Sequence, residues 1–454
     1  MHIVVIGMGY VGIPCAALFA NVPGFRVTGV QRRSKRSGWK IDRLNCGQSP
    51  FEGDEPGLAE LIHRVVLEKR TFRVCDDIAV CREADAILIE VQTPVDDSKV
   101  PRYESLREVA AGAGKHMKKG TLVVVESTVA PGTTQHVVQP ILERGSGMKA
   151  GQGFSLAFSG ERVMPGKLLR FLVHFPRIVG GIDAESTRRA VELYRHIVKK
   201  EITPTNCLTA EVAKSIENTY RDVNIAFANE MALICESLGV DVFQVRDLIN
   251  TRPDRHMHLP GAGVGGHCLP KDPWLLNYGV NRYGCGTAES ELLVVARRVN
   301  DHMPQHMARL VAQALSEAGQ SVSGSKVVVL GIAYLENSDD TRNTPALPLI
   351  RALLELGAEV VAHDPFVRQA DFDALGLGSD VVLTRDLRKA LEDAHCATIV
   401  AKHNDYLGPE LFQAARLMNT PILVDGRGCI DEKACAAAGI AYLGLGRRRK
   451  VASH

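Results

Sequence analysis

No Cys-x-x-Cys pair occurs among the eleven cysteines, and their number is odd. Both facts argue against a disulfide framework or a zinc site and for reduced thiols in the cytoplasm. No apolar run approaches the roughly 18 residues of a membrane span. The chain opens directly on a strand, Met1-His-Ile-Val-Val-Ile6, with no charged segment ahead of an apolar one, so no signal peptide is expected. Neither sign of charge dominates: the formal net charge is +2. That gives no electrostatic case for nucleic acid or a membrane as partner. The basic run Arg32, Arg33, Lys35, Arg36 and the tail Arg447-Arg-Arg-Lys450 are local, and the tail reads as solvated charge.

The chain has 454 residues, too many for one core, so two or three domains are expected. The first 190 or so residues alternate strand-like and helix-like patterns. Strands are predicted at Ile3–Ile6, Arg26–Val30, Ala86–Val91, Leu122–Glu126 and Phe154–Phe158. Such alternation means a parallel sheet covered on both faces. A long helix is predicted from Thr209 to about Leu238, with Ala213, Ile216, Tyr220, Val223 and Phe227 at helical spacing and Gly239 as its C-cap. Two further helices are expected, Glu289–Asn300 and Gln305–Gly319, then a linker, Gln320–Ser325. A second alternating set follows, with strands Lys326–Leu330, Glu359–His363, Ala397–Ala401 and Ile422–Val424. The expected class is α/β: two Rossmann-like doubly wound domains (1–198 and 305–454) joined by a central helical domain (199–304).

Gly7-Met-Gly9-Tyr10-Val11-Gly12 directly follows the first strand and opens a helix. In a dinucleotide-binding turn the first glycine makes the bend, the second admits the pyrophosphate and the third lets helix pack on sheet. At the end of the second strand an acid is expected, to bind the ribose hydroxyl. Gln31 stands there, followed by Arg32 and Arg33. Glutamine still bonds a hydroxyl, and an arginine meets a 2′-phosphate. NAD is the expected cofactor and NADP stays open.

Cys268 lies in Gly261-Ala-Gly-Val-Gly-Gly-His-Cys-Leu-Pro-Lys-Asp-Pro273. Four glycines within six residues remove side chains near one thiol, which is expected to let a bulky substrate approach. A thiol in such a loop, in a nicotinamide-binding chain, suggests covalent aldehyde oxidation: attack by thiolate, loss of hydride, and a thioester left for water. Taken alone, Cys268 reads more often as an inert buried thiol. Lys214 and Asn218 are four apart and share a helix face, where a cation and an amide together steady an oxyanion. Asp272 is a candidate to orient water or hold that lysine. His267 has no second ligand at zinc spacing, so no metal is expected.

With Gln92-Thr-Pro94, Glu126-Ser-Thr-Val-Ala-Pro-Gly-Thr133, Glu161-Arg-Val-Met-Pro-Gly166, Glu211-Val-Ala-Lys-Ser-Ile-Glu-Asn218, Asp340-Thr-Arg-Asn-Thr-Pro345 and Asp425-Gly-Arg427 added, the chain resembles the UDP-glucose/GDP-mannose dehydrogenase family over almost its whole length. Within it the resemblance is to the UDP-N-acetylhexosamine 6-dehydrogenases, above all those acting on UDP-N-acetylmannosamine. It implies oxidation of a sugar C6 alcohol to a carboxylate with two NAD per turnover. It implies Cys268 as nucleophile, Lys214 and Asn218 at the alkoxide, Asp272 and Thr128 in water and proton handling, and Glu161 as base in thioester hydrolysis. Thr93, Ser127 and Thr128 would line the nicotinamide side, and Arg342 would reach a cofactor across the domain interface. For the UDP-sugar it implies Glu161, Arg162, Val163, Lys214, Asn218, Tyr334, Arg427 and the loop His258–Gly265. Arg252, with Arg255 a near competitor, would enter from a neighbouring subunit. A homodimer through the helix 209–238 is implied, with a tetramer open.

Three departures from the family pattern stand out: Gln31 for the ribose acid, Gly160 where a proline precedes the glutamate, and Leu335 where a lysine follows the tyrosine. UDP-N-acetylglucosamine or UDP-glucose are the alternative substrates. A two-electron β-hydroxyacid dehydrogenase shares the first domain but has no use for the thiol or a third domain. A nucleotide-sugar sensor has no use for an intact Cys268, Lys214, Asn218 and Asp272.

Overall fold

In the computed structural model the described residues are 1–35, 37–51, 53, 55–285 and 290–447. Arg36 of the basic run, Glu289 at the predicted helix start and 448–450 of the basic tail lie outside them. The chain packs as two compact units, Met1–Asn218 with Lys271–Glu289, and Thr219–Pro270 with Ser290–His454.

The first unit is built on an eight-stranded sheet. Its strands are β1 (His2–Ile6), β2 (Arg26–Val30), β3 (Phe72–Cys75), β4 (Ala86–Ile89), β5 (Leu122–Val125), β6 (Ser155–Phe158), β7 (Arg177–Gly181) and β8 (Ile202–Asn206). Their order is β3-β2-β1-β4-β5-β6-β7-β8, parallel except for β6 against β7. Side chains of β1 alternate between two cores: Ile3 and Val5 join one, Val4 and Ile6 the other. This two-faced burial is why the strand reads as an unbroken apolar run. The order reverses between β1 and β4, the switch point where doubly wound sheets open a crevice at their carboxyl ends.

The second unit carries a six-stranded, all-parallel sheet of β9 (Lys326–Leu330), β10 (Glu359–His363), β11 (Val382–Thr384), β12 (Cys396–Ile399), β13 (Ile422–Asp425) and β14 (Ala441–Gly444), in the order β11-β10-β9-β12-β13-β14. Val327 and Val329 face one core, Val328 and Leu330 the other. The α/β class with two doubly wound sheets is thus as the sequence predicts.

The long helix runs from Cys207 to Leu238. Gly239 ends it with φ +71°, and the N–H of Val240 returns to the Cys235 carbonyl at 3.0 Å, the bonding of a Schellman cap. Among its predicted stripe, Ile216, Tyr220 and Phe227 are exposed in the single chain. The two predicted helices after the glycine loop are a single one, Glu291–Glu317. Pro304 lies inside it and removes one backbone donor. The helix continues because Met303, Pro304 and Met307 are all buried in the core of the second unit. Among the described residues no helix is long and apolar enough to cross a membrane.

Candidate active site

The turn after β1 shows three glycines with different constraints. A Cβ on Gly7, at φ +111°, would lie 2.3 Å from the Glu90 carbonyl oxygen, and one on Gly12 would lie 1.9 Å from the Gly7 oxygen. Around Gly9 nothing lies within 4 Å. Gly7 and Gly12 are therefore required by the chain itself, and the space over Gly9 is left to a ligand. Those are the steric demands of a dinucleotide pyrophosphate, so the residues present fit the cofactor. Tyr10 stacks on Phe51 at 4.6 Å beside the turn, and Val11 precedes the helix Gly12–Asn21 at its N-cap.

Gln31 is tied into the same turn. Its Oε1 accepts from the Met8 N–H at 3.1 Å and its amide donates to Ser37 Oγ at 3.0 Å. Arg32 pairs with Glu108, and Arg33 with Asp42 and Asp76, all on the surface. Both arginines beside the ribose position thus carry carboxylate partners, which offsets their attraction for a second phosphate.

The loops after β4 and β5 carry the other cofactor candidates. Thr93 Oγ1 donates to the Thr128 carbonyl at 2.6 Å, and Ser127 Oγ to the Val91 carbonyl at 2.7 Å. From the far side, the Glu211 carboxylate accepts from Gly132 N–H at 2.6 Å and Thr134 N–H at 2.9 Å. Glu211 sits one turn before Lys214 on the long helix, so it ties the Thr128 loop to the lysine-bearing helix. Sequence reading found Glu211 only as part of a motif. Burial pushes its carboxyl up to about 7. A carboxyl raised in the folded state binds its proton more tightly there than in the unfolded chain, so its stabilising contribution falls as pH climbs from about 4.5 to about 7. We expect Glu211→Gln to lower the melting temperature, because its amide N–H₂ faces a backbone N–H. The variant also narrows the wild-type drop in melting temperature between pH 5 and pH 8, which thermal melts at the two pH values measure.

Lys214 is buried, and its stem passes where Gly160 lacks a side chain: a Cβ there would lie 2.6 Å from Lys214 Cγ. The absent proline at 160 thus has a physical counterpart in the space that the lysine fills. Asn218 Nδ2 donates to Asp272 Oδ2 at 2.5 Å. Asp272 is fully buried, and its other oxygen takes the Lys271 ammonium. The lysine that Asp272 holds is therefore Lys271, its chain neighbour, rather than Lys214. Sequence reading missed Lys271, which carries no pattern beyond its position in the loop. Glu161 pairs with Arg177, another residue not anticipated. Arg162 is engaged by Glu217 at 2.8 Å and by the Pro176 carbonyl at 3.0 Å. Val163 packs on the apolar core.

In the second unit the glycines of the Cys268 loop serve packing within the chain, which corrects the reading that they clear room for substrate. A Cβ on Gly261 would lie 2.5 Å from Arg427 Nη1, and one on Gly263 2.7 Å from Pro345 Cβ. Gly265 and Gly266 make room for Tyr334, at 2.5 and 2.8 Å. The loop is pinned by Gly266 N–H to the Arg342 carbonyl at 2.8 Å and by Asn343 Nδ2 to the Gly266 carbonyl at 2.9 Å. Its start is held by Asn229, whose Oδ1 accepts from Gly261 N–H at 2.9 Å. Asn229 leads on through Asn300 and Asp222 to the buried Arg297.

Cys268 itself is half-buried. Burial works against the Arg342 charge, but the Asp340 carboxylate, Tyr334 and Cys268 outweigh it and raise its pKa. A guanidinium within electrostatic reach is the type of neighbour that favours a thiolate. Burial, then Asp340, raises the Tyr334 phenol, with Cys268 adding to the rise. Arg427 donates from Nε to the Val400 carbonyl at 2.5 Å, and burial lowers its pKa. Burial, then the charges of Arg221, His256 and Arg246, lower the His258 imidazole from its ordinary value. Arg252 and Arg255 share Asp254 on the surface, at 3.1 and 2.7 Å.

Three family models match in order: the NAD binding domain of the UDP-glucose/GDP-mannose dehydrogenase family over residues 1–198, its central domain over 208–302 and its UDP binding domain over 328–432. The UDP-N-acetyl-D-mannosamine dehydrogenase of Pyrococcus horikoshii is 36% identical over 98% of this chain and 99% of its own. Its solved structure superposes with a TM-score of 0.88. The structure of an NDP-N-acetyl-D-galactosaminuronic acid dehydrogenase from Methanosarcina mazei is 41% identical over 100% of this chain and 96% of its own, with a TM-score of 0.82. That of a UDP-glucose dehydrogenase from Pyrobaculum islandicum is 28% identical over 98% of each chain, also at 0.82. The chain therefore belongs to the UDP-glucose/GDP-mannose dehydrogenase family of NAD-dependent oxidoreductases.

Proposed function

We propose that this enzyme oxidises the C6 alcohol of a UDP-N-acetylhexosamine, UDP-N-acetyl-D-mannosamine first among them, to the uronate with two NAD per turnover. The observation that carries the reading is similarity over nearly the full chain to UDP-N-acetyl-D-mannosamine dehydrogenases, with Cys268, Lys214, Asn218, Asp272 and Glu161 all in place. NAD accepts hydride when bound at the Gly7–Gly12 turn, with Thr93, Ser127 and Thr128 on its nicotinamide side and Arg342 a further contact. Cys268 sulfur bonds to the aldehyde carbon, giving a thiohemiacetal that becomes a thioester on loss of a second hydride. Lys214 and Asn218 steady the alkoxide, while Asp272 and Thr128 place water and protons. Glu161 takes a proton from water as the water oxygen bonds to the acyl carbon, the C–S bond breaks and sulfur leaves as thiolate.

For substrate binding the proposal assigns Arg162, Val163, Tyr334, Arg427 and the loop His258–Gly265. Residues 1–198 take the cofactor, 199–304 the dimer contact and 305–454 the UDP-sugar. Exposed Ile216, Tyr220 and Phe227 on the long helix support a homodimer through that helix, with Arg252 of the neighbouring copy completing the site. The cysteines, none of them in a disulfide among the described residues, favour the cytoplasm as its compartment.

The 41% identity to an N-acetylgalactosaminuronic acid enzyme favours a second reading, the galacto epimer. A panel of UDP-N-acetylmannosamine, UDP-N-acetylglucosamine, UDP-N-acetylgalactosamine and UDP-glucose, each with NAD and NADP, separates them. We expect the highest kcat/KM for UDP-N-acetylmannosamine with NAD, and two NADH per sugar with the uronate identified by mass. One NADH per sugar indicates a simple alcohol dehydrogenase, and none a sensor.

A further inference from the structure

Glu161 does not stand alone in the first unit. Arg177, the first residue of β7 and itself buried, makes an ion pair with it. The same guanidinium meets Glu126 Oε1 at 2.8 Å and donates from Nε to Ser159 Oγ at 2.7 Å. Its central carbon lies 3.7 Å over the Tyr194 ring. Tyr194 in turn donates its hydroxyl to Glu126. Cys15 Sγ contacts Glu126 Oε2 at 3.8 Å, and a Glu90 carboxylate oxygen lies within 4.8 Å of both. Glu126 is buried and immediately precedes Ser127 and Thr128. So one guanidinium, immobilised by a hydroxyl and an aromatic face, is shared by two carboxylates, one at each terminal nitrogen.

We propose that Arg177 is a positioning residue for Glu161 and that Glu126 governs how strongly it holds that carboxylate. This rests on the reading of Glu161 as the base in thioester hydrolysis. When Glu126 is ionised, two carboxylates share one guanidinium, and Arg177 holds Glu161 less tightly, so its oxygen is freer to meet the attacking water. When Glu126 is neutral, Arg177 is committed to Glu161 and holds it back from that water. Burial pushes the Glu126 carboxyl up, with Arg177 only partly opposing it and Glu161 adding to the rise, so this switch falls within reach of ordinary assay conditions. Besides Arg177 and Glu161, the titratable groups facing Glu126 are Tyr194, Cys15 and Glu90.

The test uses the full-length enzyme with NAD and a UDP-sugar that it oxidises. Removing the charge of Arg177 outright leaves two buried carboxylates without a counter-ion and is expected to unfold the unit. Arg177→Lys keeps the charge but loses the fork that reaches Ser159, Glu126 and Glu161 together. Glu126→Gln keeps the shape and removes one negative charge. Rapid mixing follows the first-turnover NADH release, and intact mass of quenched samples reports acyl adduct on Cys268.

Glu161→Gln serves as the reference and accumulates the adduct. Arg177→Lys is expected to slow adduct hydrolysis by about ten- to a hundredfold, the range for a misplaced reacting group, with the NADH burst unchanged. Glu126→Gln is expected to slow hydrolysis and to remove the rise in its rate across the pH range in which Glu126 ionises, which a merely structural role does not do. If both variants hydrolyse at the wild-type rate and pH profile while Glu161→Gln accumulates adduct, the inference is overturned and the thioester reading stands. If Glu161→Gln itself accumulates none, that reading fails and takes the role of Arg177 with it.

Discussion

Cys268→Ser is expected to produce no uronate at all while UDP-sugar binding stays measurable by calorimetry. Oxygen replaces sulfur in the same loop, and its neighbours are unchanged: Tyr334 still fills the space that Gly265 and Gly266 leave, and Arg342 still receives the Gly266 N–H. Binding contacts therefore survive. What is lost is a nucleophile ionisable near neutral pH. A thiol has an ordinary pKa of about 8.5 and is brought down by a nearby cation, whereas a serine hydroxyl needs a general base to attack a carbonyl at all. The seryl adduct, if formed, is an ester and a slower leaving group than a thioester. Steady-state production of acid at the wild-type rate would exclude covalent catalysis by this residue. Loss of binding together with turnover, seen with a lowered melting temperature, makes Cys268 structural instead.

The strands legible in the sequence are those with both faces covered. β1, β2, β9 and β10 stand within a residue of their predicted bounds: after their first residue β1 and β9 are runs of Val, Ile and Leu, and β2 and β10 place short apolar or small residues, largely buried, at most of their positions. The strands missed are chiefly the sheet edges: β3 and β8 in the first sheet, β11 and β14 in the second. β8 reads Ile-Thr-Pro-Thr-Asn and is largely exposed, a composition tolerated only where one side of the strand has no neighbour. β7 was missed for another reason. Its Gly180 and Gly181 sit where a Cβ would strike Asn206 O and Thr187 N, so packing and not propensity selects them. The two helices expected at Glu289–Asn300 and Gln305–Gly319 are one, because the residues between them are helical, with Met303 and Pro304 buried.

For the site, motifs located the residues but not their partners. Gly7, Gly9 and Gly12 were assigned three roles by spacing, and their steric surroundings separate them in the expected way. The same reasoning failed at Gly261, Gly263, Gly265 and Gly266, because a glycine gap is read as open whether a ligand or a tyrosine fills it. Arg177, Lys271 and Glu211 were invisible as functional residues for a related cause. Each acts through a contact with a residue far along the chain or through an ordinary neighbour, and no periodicity encodes that a guanidinium at 177 will meet carboxylates at 126 and 161.

Lys214→Ala is expected to lower kcat by at least about a hundredfold, the usual loss on removing an oxyanion donor, with little change in KM for the UDP-sugar. The lysine is buried and held along a path cleared by Gly160, so its ammonium is placed by packing of the stem rather than by search in solvent. Preplaced charge costs no reorganisation when an alkoxide forms, which is why the effect belongs in kcat. Asn218, its neighbour one turn on, already gives its amide to Asp272. That amide carries no charge, so it does not replace the missing ammonium and the loss is not masked. A charge-bearing rescue follows: Lys214→Arg keeps the cation but carries it on a planar head in place of a compact ammonium, so it recovers only part of the rate. A rise confined to KM would instead mean that Lys214 binds substrate and transition state equally, and the alkoxide role would have to be given up.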